Sequence, residues 1–164
     1  MIRGLSLTEP WATLVALGQK HWETRSWPTN YRGRLAIQSA QAYPPTARRL
    51  AVHHPAFRAA LGEWGMIRPF PHGRIVAVVD LVGCYPTPPS NTSMHWAGNC
   101  RLPPEQPELT FGDYAPGRYA FEMENIRPLA EPVLCRGAQG LWLLPAEVEA
   151  AVEAELERDE ERPR

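Results

Sequence analysis

The chain has 164 residues, the usual length of one domain, and its 44% hydrophobic content is enough for a substantial core. It has no apolar run near the ~18 residues of a membrane helix, no secretory-signal pattern at its start, and three widely spaced cysteines. We therefore expect a cytoplasmic protein without a disulfide framework. The net charge of −1 divides into +4 over residues 1–144 and −5 over residues 145–164, which permits a nucleic-acid partner without requiring one.

The first forty residues predict two strands and a short helix. Residues 4–7 predict a strand, and Thr8 followed by Pro10 predicts the start of a helix over residues 11–17, with Thr8 as its cap. Gly18 would end this helix in the left-handed conformation that glycine favours. Residues 34–39 predict the second strand, with one apolar face.

The only lysine of the chain is Lys20, and the other sixteen cationic side chains are arginines. A lysine in such a background marks a place for a compact point charge or for an ammonium that can release its proton. Residues 21–27 predict an extended segment that follows it. Glu23 and Arg25 would face one way along this segment, and Trp22 and Thr24 would face the other.

The rest of the chain predicts strands, helices and one long loop. Residues 44–64 predict a helical stretch that Pro55 kinks or splits. Strands are predicted over residues 73–85, 117–126, 132–135 and 141–144. Residues 86–116 predict a long loop, of a length that is often functional in compact domains. Residues 145–158 predict an acidic helix.

These elements favour an α+β fold, built as a small mixed β-barrel of about five to six strands with two or three flanking helices. Few strands alternate with helices, so a doubly wound parallel sheet is not expected. We expect one domain over residues 1–144 and an acidic C-terminal helix or tail over residues 145–164.

The cluster around Lys20 is the first candidate site. Lys20 could hold a carbonyl or phosphate as a cation, or act as a base if it is desolvated. Glu23 could hold its cationic neighbours or act as a general acid or base, whereas Thr24 would need an adjacent base to become a nucleophile. A surface ion-pair network that orders a loop is the structural alternative.

Aromatic side chains near arginines form a second pattern, because Trp and Tyr rings can stack on nucleic-acid bases. The candidates are Trp11, Trp27, Trp96 and Tyr114, with core packing as the alternative for Trp11 and Trp27. The histidines and cysteines match no common zinc spacing, and no phosphate-binding loop or nucleophile-elbow motif is present. We expect no metal and no cofactor.

Five segments of the sequence form a recognisable set. They are residues 5–12 (LSLTEPWA), 18–27 (GQKHWETRSW), 31–33 (YRG), 111–119 (FGDYAPGRY) and 137–142 (GAQGLW). Together they resemble the ASCH domain family over most of residues 3–144. The Gly-x-Lys-x-x-Glu-x-Arg motif within them is short, and it becomes specific in combination with the other segments.

The resemblance implies a PUA-like β-barrel with a cleft between barrel and first helix, lined by Lys20, Glu23 and Arg25. Members of the family are associated with RNA binding, some hydrolyse the acetyl amide of N4-acetylcytidine, and at least one is similar to a metal-dependent ribonuclease. The candidate catalytic residues are Lys20, Glu23 and Thr24, and the candidate ligand-binding residues are Trp11, Arg25, Trp27, Arg32, Ser39, Tyr114 and Arg118. The implied partner is RNA or a modified nucleoside or nucleotide, with no membrane.

The chain departs from the family pattern at two places. In the amidohydrolase branch the third residue after the lysine is a threonine. Here that residue is Glu23, and Thr24 would point to the opposite face of a strand. That branch also uses a later glutamate, for which the candidates are Glu105, Glu108 and Asp113. After Ile37, many relatives carry a His and a Lys, but this chain has Gln38 and Ser39.

Two functions fit these residues. As an enzyme, the protein would hydrolyse the acyl amide of an N4-acylated cytidine, with Lys20 at the oxyanion or acting as base and Glu23 activating water. As a binding module, it would hold RNA or a modified base in the same cleft, with Arg25, Arg32 and Arg118 on phosphate groups. Binding is favoured over hydrolysis, and a metal-dependent ribonuclease is the third alternative.

Overall fold

The computed structural model of the chain describes residues 1–63, 69–88 and 104–160. The strands in this part are β1 (Arg3–Leu7), β2 (Trp22–Arg25), β3 (Gly33–Ser39), β4 (Arg74–Pro86), β5 (Tyr119–Leu134) and β6 (Leu141–Leu143). The helices are α1 (Trp11–Ala16), α2 (Pro45–His53), α3 (Pro55–Leu61), α4 (Glu108–Phe111) and α5 (Ala146–Glu160). The predicted α+β fold is confirmed. The helices in the described ranges number five, against an expected two or three.

The six strands form one sheet in the order β2-β5-β4-β3-β1-β6, curled into a half-barrel. β1 and β3 run parallel, and every other neighbouring pair is antiparallel. The long pair β4–β5 contains register shifts between Ile75 and Ala77 and between Leu81 and Gly83. Bulges of this kind bend strands and increase their twist, so they allow the sheet to curl.

The two faces of the sheet bury separate parts of the core. On one face, Leu35 and Ile37 of β3 pack with Val15 of α1. On the other face, Ala36 packs in a cluster that includes Val152 of α5. This alternation along β3 follows from the period of two in a strand, and it confirms the predicted apolar face. The acidic α5 therefore buries one side against the sheet.

Two predicted elements differ from the structure in extent. The strand predicted over residues 132–135 continues β5, because β4 is long enough to pair with it as far as Leu134. The predicted loop over residues 86–116 contains α4, and its residues 89–103, including Trp96, lie outside the described residues. The helical stretch predicted over residues 44–64 is split at Pro55, as expected. His54 is extended there (φ −80°, ψ 124°), as expected for a residue before proline.

The predicted cap of α1 is wrong. No side chain at Pro10, the capping position, caps the helix, and Thr8 contributes only its carbonyl oxygen. The fully buried carboxylate of Glu9 instead accepts hydrogen bonds from the amide and the hydroxyl of Thr13, at 3.1 and 3.0 Å. Ser39 donates a third bond to it, at 2.7 Å. Burial raises the pKa of Glu9 above its ordinary value, and these three hydrogen bonds oppose that rise.

Candidate ligand-binding cleft

The side chain of Lys20 is fully buried, with 0% of its surface exposed. Its ammonium donates to the carbonyl oxygens of Trp22 and, at 3.4 Å, of Phe111, and it lies 3.3 Å from a carboxylate oxygen of Glu23. An ammonium has three N–H donors, and these three oxygens match them in number. A planar guanidinium presents five donors in a fork on a longer group, which explains why lysine stands here in an arginine-rich chain.

Glu23 connects Lys20 to the open side of β2. Its other carboxylate oxygen lies 3.4 Å from Nε of Arg25, so the carboxylate is ion-paired on both sides. Arg25 also donates from a terminal nitrogen to the carbonyl oxygen of Ser6, at 2.7 Å. The pair Glu23 and Arg25 is half-buried, whereas Trp22 and Thr24 are buried, which is the alternation expected of an extended segment.

Thr24 and Arg118 join β2 to the segment that follows α4. The hydroxyl of Thr24 accepts a 3.0 Å hydrogen bond from the amide of Asp113. Arg118 donates to the carbonyl oxygens of Asp113, at 2.9 Å, and of Thr24, at 3.3 Å. These bonds hold the loop after α4 against β2, although the two segments are almost ninety residues apart in the sequence.

Two adjoining cavities lie on either side of this junction, and we call them together the cleft. The first has a volume of about 290 Å³ and the second about 350 Å³. Both are lined by Trp11, Glu23, Thr24 and Arg118. Arg25 and Trp27 line the first cavity only, and Leu50 with residues 110–113 lines the second. An aromatic ring, a carboxylate, a hydroxyl-bearing side chain and a guanidinium thus share one wall.

The tryptophans of the cleft combine packing with exposure. The ring of Trp11 meets Phe57 edge-on at 5.9 Å, and the ring of Trp27 meets Phe121 edge-on at 5.2 Å. Both tryptophans are half-buried, so each is anchored in the core while it lines a cavity. The alternatives of core packing and ligand contact are therefore compatible for these two side chains.

Four of the predicted site residues are not part of the cleft wall. Of the described residues, Lys20, Arg32, Ser39 and Tyr114 are not among those that line either cavity. Arg32 is exposed and donates to the carbonyl oxygens of Thr29 and Tyr31, and buried Ser39 holds Glu9. Burial, together with the charges of Glu108 and Glu23, raises the pKa of Tyr114 well above its ordinary value. A catalytic role for Lys20, Glu23 or Thr24 stays a prediction.

α4 places Glu108, one of the three later carboxylates considered, close enough to Lys20 for the two charges to interact. This carboxylate accepts a hydrogen bond from the amide of His21, and a backbone hydrogen bond from Trp22 also stabilises its charged form. Burial raises the pKa of Glu108, and the charge of Lys20 opposes that rise. The sequence left Glu105, Glu108 and Asp113 as equal candidates because no local pattern reports a contact across so many residues.

Comparison with known protein families assigns the chain to one of them. The sequence model of the ASCH domain family matches residues 5–132 of this chain. The chain belongs to the ASCH domain family. The predicted resemblance is confirmed, and with it membership of a family generally associated with RNA binding.

Solved ASCH structures share the fold. The ASCH protein from Zymomonas mobilis superposes with a TM-score of 0.51 at 14% identity, covering 93% of this chain and 94% of that one. Two point mutants of the same protein give a TM-score of 0.53 at the same identity and cover 93% of this chain. At this identity the likeness concerns the fold alone, and it supports the PUA-like half-barrel.

Closer sequence similarity is found in a longer protein. Human Activating signal cointegrator 1 is 36% identical over 81 residues, and the mouse protein is 35% identical over the same length. The match spans 49% of this ASCH domain protein but 14% of each cointegrator. The similarity therefore concerns one segment of the cointegrators.

Two further findings concern only the described residues. No helix among them combines the length and the apolar character that crossing a membrane requires. They also contain no group of three or more His, Cys, Asp or Glu side chains placed to hold a metal ion.

Proposed function

We propose that this ASCH domain binds RNA or a modified nucleoside in the cleft. The observation that carries the proposal is the wall shared by both cavities, where Trp11, Glu23 and Arg118 stand together. A base needs a ring surface and polar groups for its edge, and its phosphate needs a cation. The shared wall offers all three within a space that suits one nucleotide unit better than a long strand.

The two arginines of the cleft have donors left for an anion. A guanidinium carries five N–H groups. The contacts of Arg25 with Glu23 and Ser6, and those of Arg118 with Asp113 and Thr24, engage at most two N–H groups on each side chain. The remaining N–H groups support a role in phosphate binding, and the contacts with the protein hold each guanidinium in place before the ligand arrives.

Glu23 is suited to recognise the edge of a base. An ion-paired carboxylate accepts hydrogen bonds and donates none, so it selects ligands with N–H groups such as an exocyclic amine. Lys20 takes the part of a positioning residue in this proposal. It holds Glu23 and the carbonyl oxygen of Phe111 from behind, and it thereby sets the distance between β2 and the loop after α4.

The test is the salt dependence of RNA affinity. The Kd of a short single-stranded RNA and that of cytidine monophosphate would be measured at several salt concentrations for wild type, Arg118→Gln and Arg25→Gln. Loss of one phosphate contact should weaken binding and reduce the slope of log K against log salt by about 0.7. Arg74→Gln, which changes an exposed arginine outside the cleft, is the matched control. Salt-independent affinity, or equal effects of the control, would refute the proposal.

Hydrolysis of N4-acetylcytidine is the second candidate, and Glu108 favours it. A desolvated carboxyl group beside a lysine is typical of general acid–base sites. In that mechanism Lys20 would stabilise the oxyanion or act as a base, and Glu23 or Glu108 would activate water. Detection of cytidine by mass spectrometry tests it. Turnover that disappears in both Lys20→Ala and Glu108→Gln would support hydrolysis, and no turnover by wild type would leave binding as the function.

A metal-dependent ribonuclease is the third alternative. Nothing in the described residues favours it over the other two. The supporting result would be degradation of single-stranded RNA that stops when a chelator is added. Wild type should show this activity, and the cleft variants Arg25→Gln and Arg118→Gln should not.

A further inference from the structure

Helix α2 carries exposed cations on a surface without carboxylates. Residues 24–62 of the chain contain six arginines and no Asp or Glu. α2 lies within this stretch and buries Ala47 and Ala51, whereas Arg48 and Arg49 are exposed. Because neither α2 nor the rest of this stretch supplies a counter-charge, the exposed surface of the helix attracts anions.

The two arginines of α2 lie on different sides of the helix, and only one of these sides borders the cleft. Residues three or four positions apart are neighbours on a helix surface, so Arg49 lies beside His53, and His53 lies beside Leu50. Leu50 lines the second cavity of the cleft. Each residue turns the helix by ~100°, so Arg48 points almost directly away from Leu50. The guanidinium of Arg48 lies over the ring of Tyr43, 5.3 Å from its centroid. We call Arg49 and His53 the basic flank.

The basic flank has donors that a ligand can use. Its two side chains are exposed, and neither forms a hydrogen bond or an ion pair with another described residue. Glu23 and Asp113 are the carboxylates among the described residues that line the second cavity. Each is ion-paired with an arginine of the cleft, at 3.4 and 3.5 Å. Neither is therefore an unpaired anion that would compete with a ligand for the flank.

The flank continues the wall of the cleft. Trp11 and Leu50 line the second cavity, and His53 lies three residues, about 4.5 Å, further along the axis of α2 than Leu50. The cleft has room for about one nucleotide unit, so the next unit of a bound strand has to leave it across the rim. On the side of the second cavity, α2 forms this rim.

We propose that the basic flank of α2 binds the phosphate group of the nucleotide that follows the one in the cleft, so that the ligand is a single-stranded oligonucleotide and not a free nucleoside. The inference rests on the proposed function, because it takes the cleft as the place of one base. The guanidinium of Arg49 donates to the phosphate oxygens. A ring N–H of His53 donates to the same group.

The cleft favours a nucleic acid over an acidic protein segment as the partner of this flank. An acidic peptide would pair with the cations of α2 but would leave the aromatic ring of Trp11 and the edge-binding groups of the cleft unused. A nucleotide strand engages both, since one base stacks on the ring while the next phosphate reaches the helix. The strand has to be single, because the base that enters the cavity cannot be paired.

The experiment compares two probes, cytidine monophosphate and a tetranucleotide of cytidylate, by isothermal titration calorimetry. Wild type should bind the tetranucleotide at least ~10-fold more tightly, because the flank adds a charge-assisted contact. Arg49→Glu should weaken tetranucleotide binding by about 10-fold and change the affinity for the mononucleotide by less than ~2-fold. Arg48→Glu is the matched control. It gives the same net charge at the adjacent position, and it should change either Kd by less than ~3-fold.

Arg118→Gln, in the cleft, distinguishes failure of this inference from failure of the proposed function. It should weaken binding of both probes. If it does so while Arg49→Glu and Arg48→Glu have equal effects, or while wild type binds both probes equally well, the role of the flank is refuted and the proposed function stands. If neither probe binds wild type, or if Arg49→Glu weakens binding and Arg118→Gln does not, both are refuted.

A hexaglutamate peptide tests the alternative partner. We expect the tetranucleotide to bind wild type more tightly than this peptide, although the peptide carries more negative charges. If the peptide binds and loses affinity in Arg49→Glu, while the tetranucleotide is insensitive to the same change, the flank serves an acidic protein segment and the proposal is overturned.

Discussion

The main-chain amide of Asp113 donates a hydrogen bond of 3.0 Å to the hydroxyl of Thr24, which lies 89 positions earlier in the chain. The bond joins the edge strand β2 to the loop after α4. Arg118 strengthens the same junction by donating to the carbonyl oxygens of Asp113 and Thr24. Thr24 is thereby an acceptor with a defined partner. This hydrogen bond makes Thr24 a residue that positions one wall of the cleft.

Replacement of Thr24 by valine should destabilise the protein by about 1–2 kcal/mol, because the Asp113 amide would lose its acceptor while the side-chain shape is kept. Thr24→Ser retains the hydroxyl and should cost less than about 1 kcal/mol. Urea unfolding of the two variants beside wild type measures the difference. Equal losses in valine and serine variants would mean that the methyl group, not the hydrogen bond, is what matters.

Lys20→Arg should be as harmful as a neutral substitution although it keeps the charge. The larger planar group has to enter a fully enclosed space shaped for three ammonium contacts, so we expect a loss of about 1–3 kcal/mol in unfolding free energy and weaker ligand binding. Unfolding curves and the Kd for the same RNA check both effects. Arg74→Lys, an exposed exchange of the same two residue types, is the control, and wild-type behaviour of Lys20→Arg would contradict the role given to the lysine.

Glu108 should reduce stability as the pH rises. Burial raises its pKa above the ordinary 4.5, so folding favours the protonated form. The stability that this contributes is fully present below the ordinary pKa and is lost as the pH rises through the raised pKa. The side chain introduced by Glu108→Gln stays neutral at every pH. The unfolding free energy of this variant should therefore increase relative to that of wild type as the pH rises from acidic to neutral.

Chemical unfolding at a series of pH values measures this difference. Glu105→Gln makes the same chemical change on an exposed neighbour and is the matched control. A difference between Glu108→Gln and wild type that stays constant or shrinks with rising pH would contradict the assigned burial. If Glu108→Gln is more stable at neutral pH but binds or turns over ligand poorly, the carboxyl group is retained for function at a cost to stability.

Glu153 should act in the opposite sense. Its two carboxylate oxygens accept from Arg34 at 2.5 and 2.8 Å, and this pairing lowers the pKa of Glu153 below its ordinary value of 4.5. The contribution to stability is present above the ordinary pKa and is lost as the pH falls through the lowered one. Because both side chains are about a third exposed, the pair should be worth only about 0.5–1 kcal/mol at neutral pH.

The measurement is the unfolding free energy of wild type minus that of Glu153→Gln across acidic pH and at two salt concentrations. The difference should shrink on acidification and at high salt. Glu157→Gln, at an exposed position of α5, controls for the loss of one charge on the helix. A difference that survives acidification would show that Arg34 and Glu153 do not hold α5 to β3 through charge.

Local elements were predictable from the sequence. The strands, the division of the helical stretch at Pro55 and the end of α1 at Gly18 follow from side-chain periodicity and from the steric limits of proline and glycine, which act over a few residues. The alternation that buries Thr24 and leaves Glu23 half-exposed has the same origin. The cap of α1 was mispredicted because buried Glu9 gains its third hydrogen bond from Ser39, thirty residues away.

The family and the α+β class could be predicted from the sequence alone, whereas a functional role for the segment around Lys20 stays a prediction. The fold was needed to show that Lys20 is fully buried against the carbonyl oxygen of Phe111 and that Glu108 rather than Glu105 is its neighbour. Each of these contacts joins residues that are dozens of positions apart. They depend on how strands pair and helices pack, and short-range propensities contain no record of that arrangement.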